Sequence, residues 1–227
     1  MILRSELQQN STPNLMGKVP SHIVFILDES GSMSGSWAGV VKAFHEHIAQ
    51  RRRNQNESDL VSVVQFDGDA RVTIQNEPIG AVASRDLSQR GGGTQFAPAA
   101  QVGSQLVAST PMSHRPTVVL MSDGAACDSV VVASTLSSLN HQVMQKHGDD
   151  LDLHVIAFGH GADTQQLQHI SQASPKGRVH LSSDTVQLNN IFVNIAGGQQ
   201  LATVLQEEIG KEISEAVSDT LCLGYLS

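Results

Sequence analysis

The sequence predicts an α/β fold: an open, mostly parallel sheet of six strands, one of them an antiparallel edge strand, with helices on both faces. Three observations predict it. Strand-like and helix-like segments alternate along the chain. Four strand segments are nearly continuous runs of β-branched and large apolar residues, as strands covered on both faces require. Another segment alternates apolar with polar residues and follows its predecessor after "GDA", the pattern of a hairpin that places an antiparallel strand at a sheet edge.

Residues 1–18 are polar, carry no sustained period and include Pro13 and Gly17, so they read as a leader. "HIVFILD" (22–28) is the first strand, and Trp37, Val40, Val41, Phe44 and Ile48 then recur at helical steps, predicting a helix over 36–53. "DLVSVVQFD" (59–67) and "ARVTIQ" (70–75) form the expected hairpin. A helix is expected at 96–109, then the strand "PTVVLMSD" (116–123) and a helix at 130–147. "LDLHVIAFG" (151–159), a helix at 164–173, "GRVHLS" (177–182) and a helix at 185–196 complete the alternation. Beyond residue 198, Leu201, Leu205, Ile209, Ile213, Val217 and Leu221 recur every four residues, which predicts an amphipathic helical extension over 199–227. The chain thus divides into a leader (1–18), one domain (19–198) and that extension.

Composition narrows the functional classes. A formal charge of −8 argues against nucleic acid or an anionic membrane as a partner. The only basic run, Arg51, Arg52 and Arg53, falls at a predicted helix end, where solvated charges would complement the helix dipole. No apolar stretch is long enough to span a bilayer, and "MILRSELQQN" has no secretory pattern. Cys127 and Cys222 match no zinc spacing and make no disulfide framework, which favours a cytoplasmic setting. The sequons "NST" and "NES" point the other way.

One stretch carries chemistry. After the first strand, "DESGS" places Asp28, Ser30 and Ser32 at a loop before a helix, with spacing that lets all three side chains enter one crevice. Singly, these residues would cap that helix. A hard cation is the alternative occupant, because Mg²⁺ takes oxygen ligands and retains waters. Further oxygens then have to come from other strand ends. Asp123 ends the strand at 116–123, and Thr94 follows three glycines whose backbone is free to fold over the same crevice.

With these residues in place, the chain resembles the von Willebrand factor A family with a complete metal-ion-dependent adhesion site, a DxSxS motif followed by a threonine and an aspartate from two further loops. The resemblance runs over about residues 20–197 and implies a Rossmann-like sheet. It also implies that Ser30 and Ser32 contact Mg²⁺ or Mn²⁺ directly, that Asp28 and Asp123 often act through water, and that Thr94 shifts toward the metal when ligand binds. Neutral hydroxyl ligands leave the dication electrophilic, so the expected partner is a protein supplying an Asp or Glu carboxylate.

Enzyme readings find less support. An aspartyl-phosphate phosphatase needs an acid where Ser30 stands, and neither a phosphate-binding loop nor a nucleophile elbow is present. A metal-dependent hydrolase acting on an acidic or phosphorylated substrate would need His160 as its base. A scaffold with a structural metal, binding through the helix at 199–221, is the remaining alternative. The expectation is therefore a non-enzymatic, metal-dependent protein-binding module, with the partner, the process and the oligomeric state left open.

Overall fold

A computed structural model describes residues 19–124 and 128–197. The expected leader, Cys127 and the amphipathic extension lie outside the described residues. The strands are β1 (Ser21–Asp28), β2 (Leu60–Phe66), β3 (Ala70–Pro78), β4 (Arg115–Ser122), β5 (Asp152–Phe158) and β6 (Arg178–Ser182). The helices are α1 (Trp37–Arg53), α2 (Ile79–Val82), α3 (Phe96–Ala108), α4 (Ser129–His147), α5 (Thr164–Ser171) and α6 (Thr185–Gly197), with a short 3₁₀ turn at Gly31–Gly35.

These elements form one six-stranded sheet in the order β3-β2-β1-β4-β5-β6. All neighbours are parallel except β2 and β3, so the antiparallel strand lies at an edge as expected. The winding direction reverses between β1 and β4, which opens a crevice at their carboxyl ends.

Successive β1 residues point to opposite faces. Ile23, Phe25 and Leu27 pack with α1, α2 and α6, while Val24 and Ile26 pack with α3, α4 and α5. This two-sided burial is what makes β1 an unbroken apolar run. Phe25 anchors its face, meeting Phe44 edge-on at 5.1 Å and stacking with Phe192 at 5.8 Å. Each such buried side chain stabilises the fold by roughly 1.5–3 kcal/mol.

Three expectations need correction. β3 runs on to Pro78 and passes into the one-turn α2, because Ile79 and Val82 are buried against the α1 side. Pro78 and Gly80, poor helix formers, leave so short a turn without a local helical pattern. The helix expected at 164–173 ends at Ser171.

The largest correction concerns the basic run. Arg52 and Arg53 are solvated, but Arg51 is buried, and its Nε and Nη2 both lie 2.6 Å from Asp59 Oδ2. Arg51 Nη2 also donates to Ser21 Oγ (3.0 Å), and Ser21 N donates to Asp59 Oδ1 (2.7 Å). This closed network staples α1 to the amino ends of β1 and β2. α6 ends beside it, where the Ala196 carbonyl accepts from Arg51 Nη1 at 3.4 Å. Val19 lines a groove with Arg115 and Arg178 at the same end, so the described chain enters and leaves at the pole opposite the β1/β4 crevice.

Candidate functional site

The site begins where β1 stops. Asp28 is fully buried, and both its oxygens are engaged: Oδ1 accepts from Ser30 N (2.9 Å) and Oδ2 from Ser122 Oγ (2.5 Å). The second bond ties the end of β1 to the end of β4. Glu29 turns the other way. Its carboxylate accepts from Arg71 Nε (2.8 Å), Arg71 Nη2 (2.7 Å), Gln65 Nε2 (2.9 Å) and the Arg90 amide (3.0 Å). The alternation sends Asp28 and Ser30 toward the crevice and uses the residue between them to clamp the loop to β2, β3 and the glycine-rich segment.

Ser30 Oγ lies 3.0 Å from Ser32 Oγ, and Ser32 Oγ donates to Asp123 Oδ1 at 2.9 Å. Ser30 is buried and Ser32 is exposed, so the row of oxygens runs from the interior to solvent. Neither Ser30 nor Ser36, at the starts of the 3₁₀ turn and of α1, makes a side-chain cap bond. These serines therefore do not serve as the helix caps that residue type alone suggests.

Thr94 is carried in by its glycines. Gly91 and Gly92 have φ of +79° and +134°, backbone that side-chain-bearing residues rarely adopt. A Cβ at Gly92 would lie 2.8 Å from Asp67 Oδ2. The Gly92 carbonyl accepts from Gly31 N (3.0 Å), and Gln95 N donates to the Asp67 carbonyl (2.7 Å). Threaded in this way, the loop sets Thr94 against Gly124, where a Cβ would lie 3.3 Å from Thr94 Cγ2. The five expected residues thus meet at one place, Asp28, Ser30, Ser32 and Asp123 through a continuous hydrogen-bonded chain that includes Ser122, and Thr94 by its approach to Gly124, the residue after Asp123.

Burial pushes the Asp28 carboxyl above its ordinary range, the bonds from Ser122 and Ser30 pull it back, and nearby Asp123 raises it further. No lysine or arginine pairs with Asp28 among the described residues. Nor do three His, Cys, Asp or Glu side chains gather anywhere in them as a metal cluster, so a cation here would rely on hydroxyls. His160 is exposed and lines a crevice of about 500 Å³ together with Asp123. His47 belongs to the core and donates from Nδ1 to the Phe192 carbonyl at 2.8 Å.

Sequence reasoning missed Glu29, Arg71 and Ser122. Glu29 lay inside the motif, but its partners come from other strands and leave no local spacing. Ser122, next to Asp123 in "MSDG", was readable as a second inward hydroxyl only once β4 was known to pair with β1.

Comparison with known proteins bears on the whole arrangement. The family model described as von Willebrand factor type A domain matches residues 22–194. No curated protein sequence matches the chain. Among solved structures, proximal thread matrix protein 1 (PTMP1) from the mussel byssus, with a zinc-occupied MIDAS motif, superposes with TM-score 0.61 at 15% identity over 77% of this chain and 46% of that one. The pilus adhesin SpaC from Lactobacillus rhamnosus GG gives TM-score 0.65 at 11% identity over 78% and 30%. The PilB minor pilin from Streptococcus sanguinis gives 0.59 at 14% identity over 80% and 61%. The chain therefore spans less than two thirds of each of these neighbours.

Proposed function

The chain belongs to the von Willebrand factor type A domain family, and from that premise we propose that it binds a protein partner through a divalent cation held at the β1/β4 crevice. The partner supplies an Asp or Glu carboxylate, and the protein acts as a binding module, with no reaction of its own.

The observation that carries this reading is the spacing of the oxygens. Ligands about 2.0–2.1 Å from Mg²⁺ in an octahedron are separated by about 2.8–3.0 Å along each edge. Ser30 Oγ to Ser32 Oγ is 3.0 Å, and Ser32 Oγ to Asp123 Oδ1 is 2.9 Å. The donor set thus fits a small hard cation. Ser30 and Ser32 would hold it directly, with the half-buried Asp123 and Thr94 flanking them. Asp28, with both oxygens committed to Ser30 and Ser122, supplies negative charge and orientation. The bound cation would add an electrophilic position open to an external carboxylate. We take Mg²⁺ or Mn²⁺ as the resident ion because hydroxyl and carboxylate oxygens suit them.

Capture from extract in Mg²⁺, in EDTA, and with Asp28→Ala tests the reading. Partners retained only by the intact chain with metal, and lost when their mapped acidic residue is changed to Ala, are the expected outcome. Partners indifferent to both metal and Asp28 would overturn it.

A further inference from the structure

We propose that the crevice beside this site is a second recognition subsite, taking a lysine or arginine side chain that the partner carries close to its metal-seeking carboxylate. The inference rests on the preceding reading and names the partner's chemistry more closely.

The crevice, about 500 Å³, shares Asp123 with the oxygen row and lies within the roughly 300–1,000 Å³ usual for ligand pockets. Phe158 contributes at the end of β5, His160 on the loop after it, and Ser183 and Asp184 on the loop before α6. Three features set the sign of charge it accepts. Its lining holds two carboxylates, Asp123 and Asp184, and no lysine or arginine among the described residues. The amino end of α6, which would otherwise attract an anion, is already satisfied, because Asp184 Oδ1 accepts from Val186 N (2.8 Å) and Gln187 N (2.9 Å). That bonding leaves Asp184 Oδ2 at the exposed rim, contacted by Ser183 Oγ at 3.4 Å.

A carboxylate pinned through one oxygen and open at the other is a prepared acceptor for an ammonium or guanidinium group. Its placement is built into the packing. A Cβ at Gly39 would lie 2.2 Å from Thr185 Cγ2, so this glycine lets α1 close on the first residue of α6, next to Asp184. A cation on the oxygen row would be balanced by Asp28 and Asp123, leaving Asp184 as the unbalanced charge at the far side of the crevice. The chain's net charge of −8 attracts a basic segment at longer range as well.

The test is a library of resin-bound peptides with one fixed Asp or Glu and the remaining positions randomised, panned with the full chain in Mn²⁺ and in EDTA. Peptides retained only with metal are expected to be enriched in Lys or Arg near the fixed acid. Asp184→Asn keeps an oxygen for the α6 cap but removes the charge. It should weaken binding of those peptides by up to about fivefold at low salt while metal dependence persists. His160→Lys places a cation in the same crevice without touching the cap and should act in the same direction. Metal-dependent peptides with no basic enrichment, or an enrichment that neither variant alters, would overturn the subsite and leave the metal reading standing. If no peptide is retained in a metal-dependent way, both fall.

Discussion

Two aspartates are wholly buried at opposite ends of this sheet, and they are treated differently. Asp59, at the amino ends of the strands, is met by Arg51, the Ser21 amide and the Ser21 hydroxyl that shares the arginine, all supplied by the chain. Asp28, at the carboxyl ends, receives only neutral donors from Ser30 and Ser122 and has a second acid, Asp123, close by. One end is electrostatically closed by the fold itself. The other is left with an uncompensated negative charge, which is the condition expected of a place that takes its positive charge from solution.

The contrast can be broken most strongly at the closed end. Arg51→Met removes the cation from a buried pair and should cost about 3–5 kcal/mol in urea unfolding, whether or not Mg²⁺ is present. The same denaturation with Asp28→Asn should show little loss without metal, because a buried charge is removed along with its partnerless state. Equal losses from the two variants would erase the distinction.

Acid gives the next largest effect. His22, near the start of β1, is lowered from 6.5 to about 4, and His47, inside the core, from 6.5 to about 3, in both cases chiefly by burial. Such groups favour the folded state while they remain neutral. Their contribution is present above pH 6.5 and is lost as the pH falls toward 4, because the unfolded chain takes up protons that the folded chain refuses. The loss should be on the order of a few kcal/mol, read by denaturant midpoints across that range. Asp28, raised above its usual range at the open end, acts with the opposite sign, because the folded chain holds that proton more tightly and gains stability as the pH falls from the raised value toward 3.8.

Metal should act only at the open end. Mn²⁺ at about a hundredfold over its dissociation constant should add about 2.7 kcal/mol to the intact chain. Thermal melts should show this gain abolished in Asp28→Asn and kept in the ion-pair variants that still fold. The smallest effect on folding is expected from Thr94→Ala, within about 0.5 kcal/mol, although capture of a partner in Mg²⁺ should fall. If stability and capture fall together, Thr94 is a packing residue and nothing more.

These contrasts also show what a sequence can disclose. β1, β2, β4 and β5 were readable because burial on both faces leaves an unbroken apolar run, and local pattern registers that directly. Asp28, Ser30, Ser32, Thr94 and Asp123 were readable because each stands at the end of such a run or behind glycines. The pairing of Arg51 with Asp59 was not, since an arginine at a helix end is ordinarily solvated and only the packing of α6 over α1 covers it. Glu29 escaped for the same reason: its role is defined by Arg71, Gln65 and Arg90, which share no periodicity with it.

β1 also has a mechanical meaning. It carries Asp28 at one end, Val19 lies just before its other end, and it runs between β2 and β4 in parallel register from Ser21 to Asp28. A pull between a partner held at the crevice and the chain at Val19 would run along this strand. Its hydrogen bonds on both sides would be loaded in shear, so that they resist together and do not peel apart one at a time. The strand that presents the contact is thereby also the tension member that would bear the load placed on it.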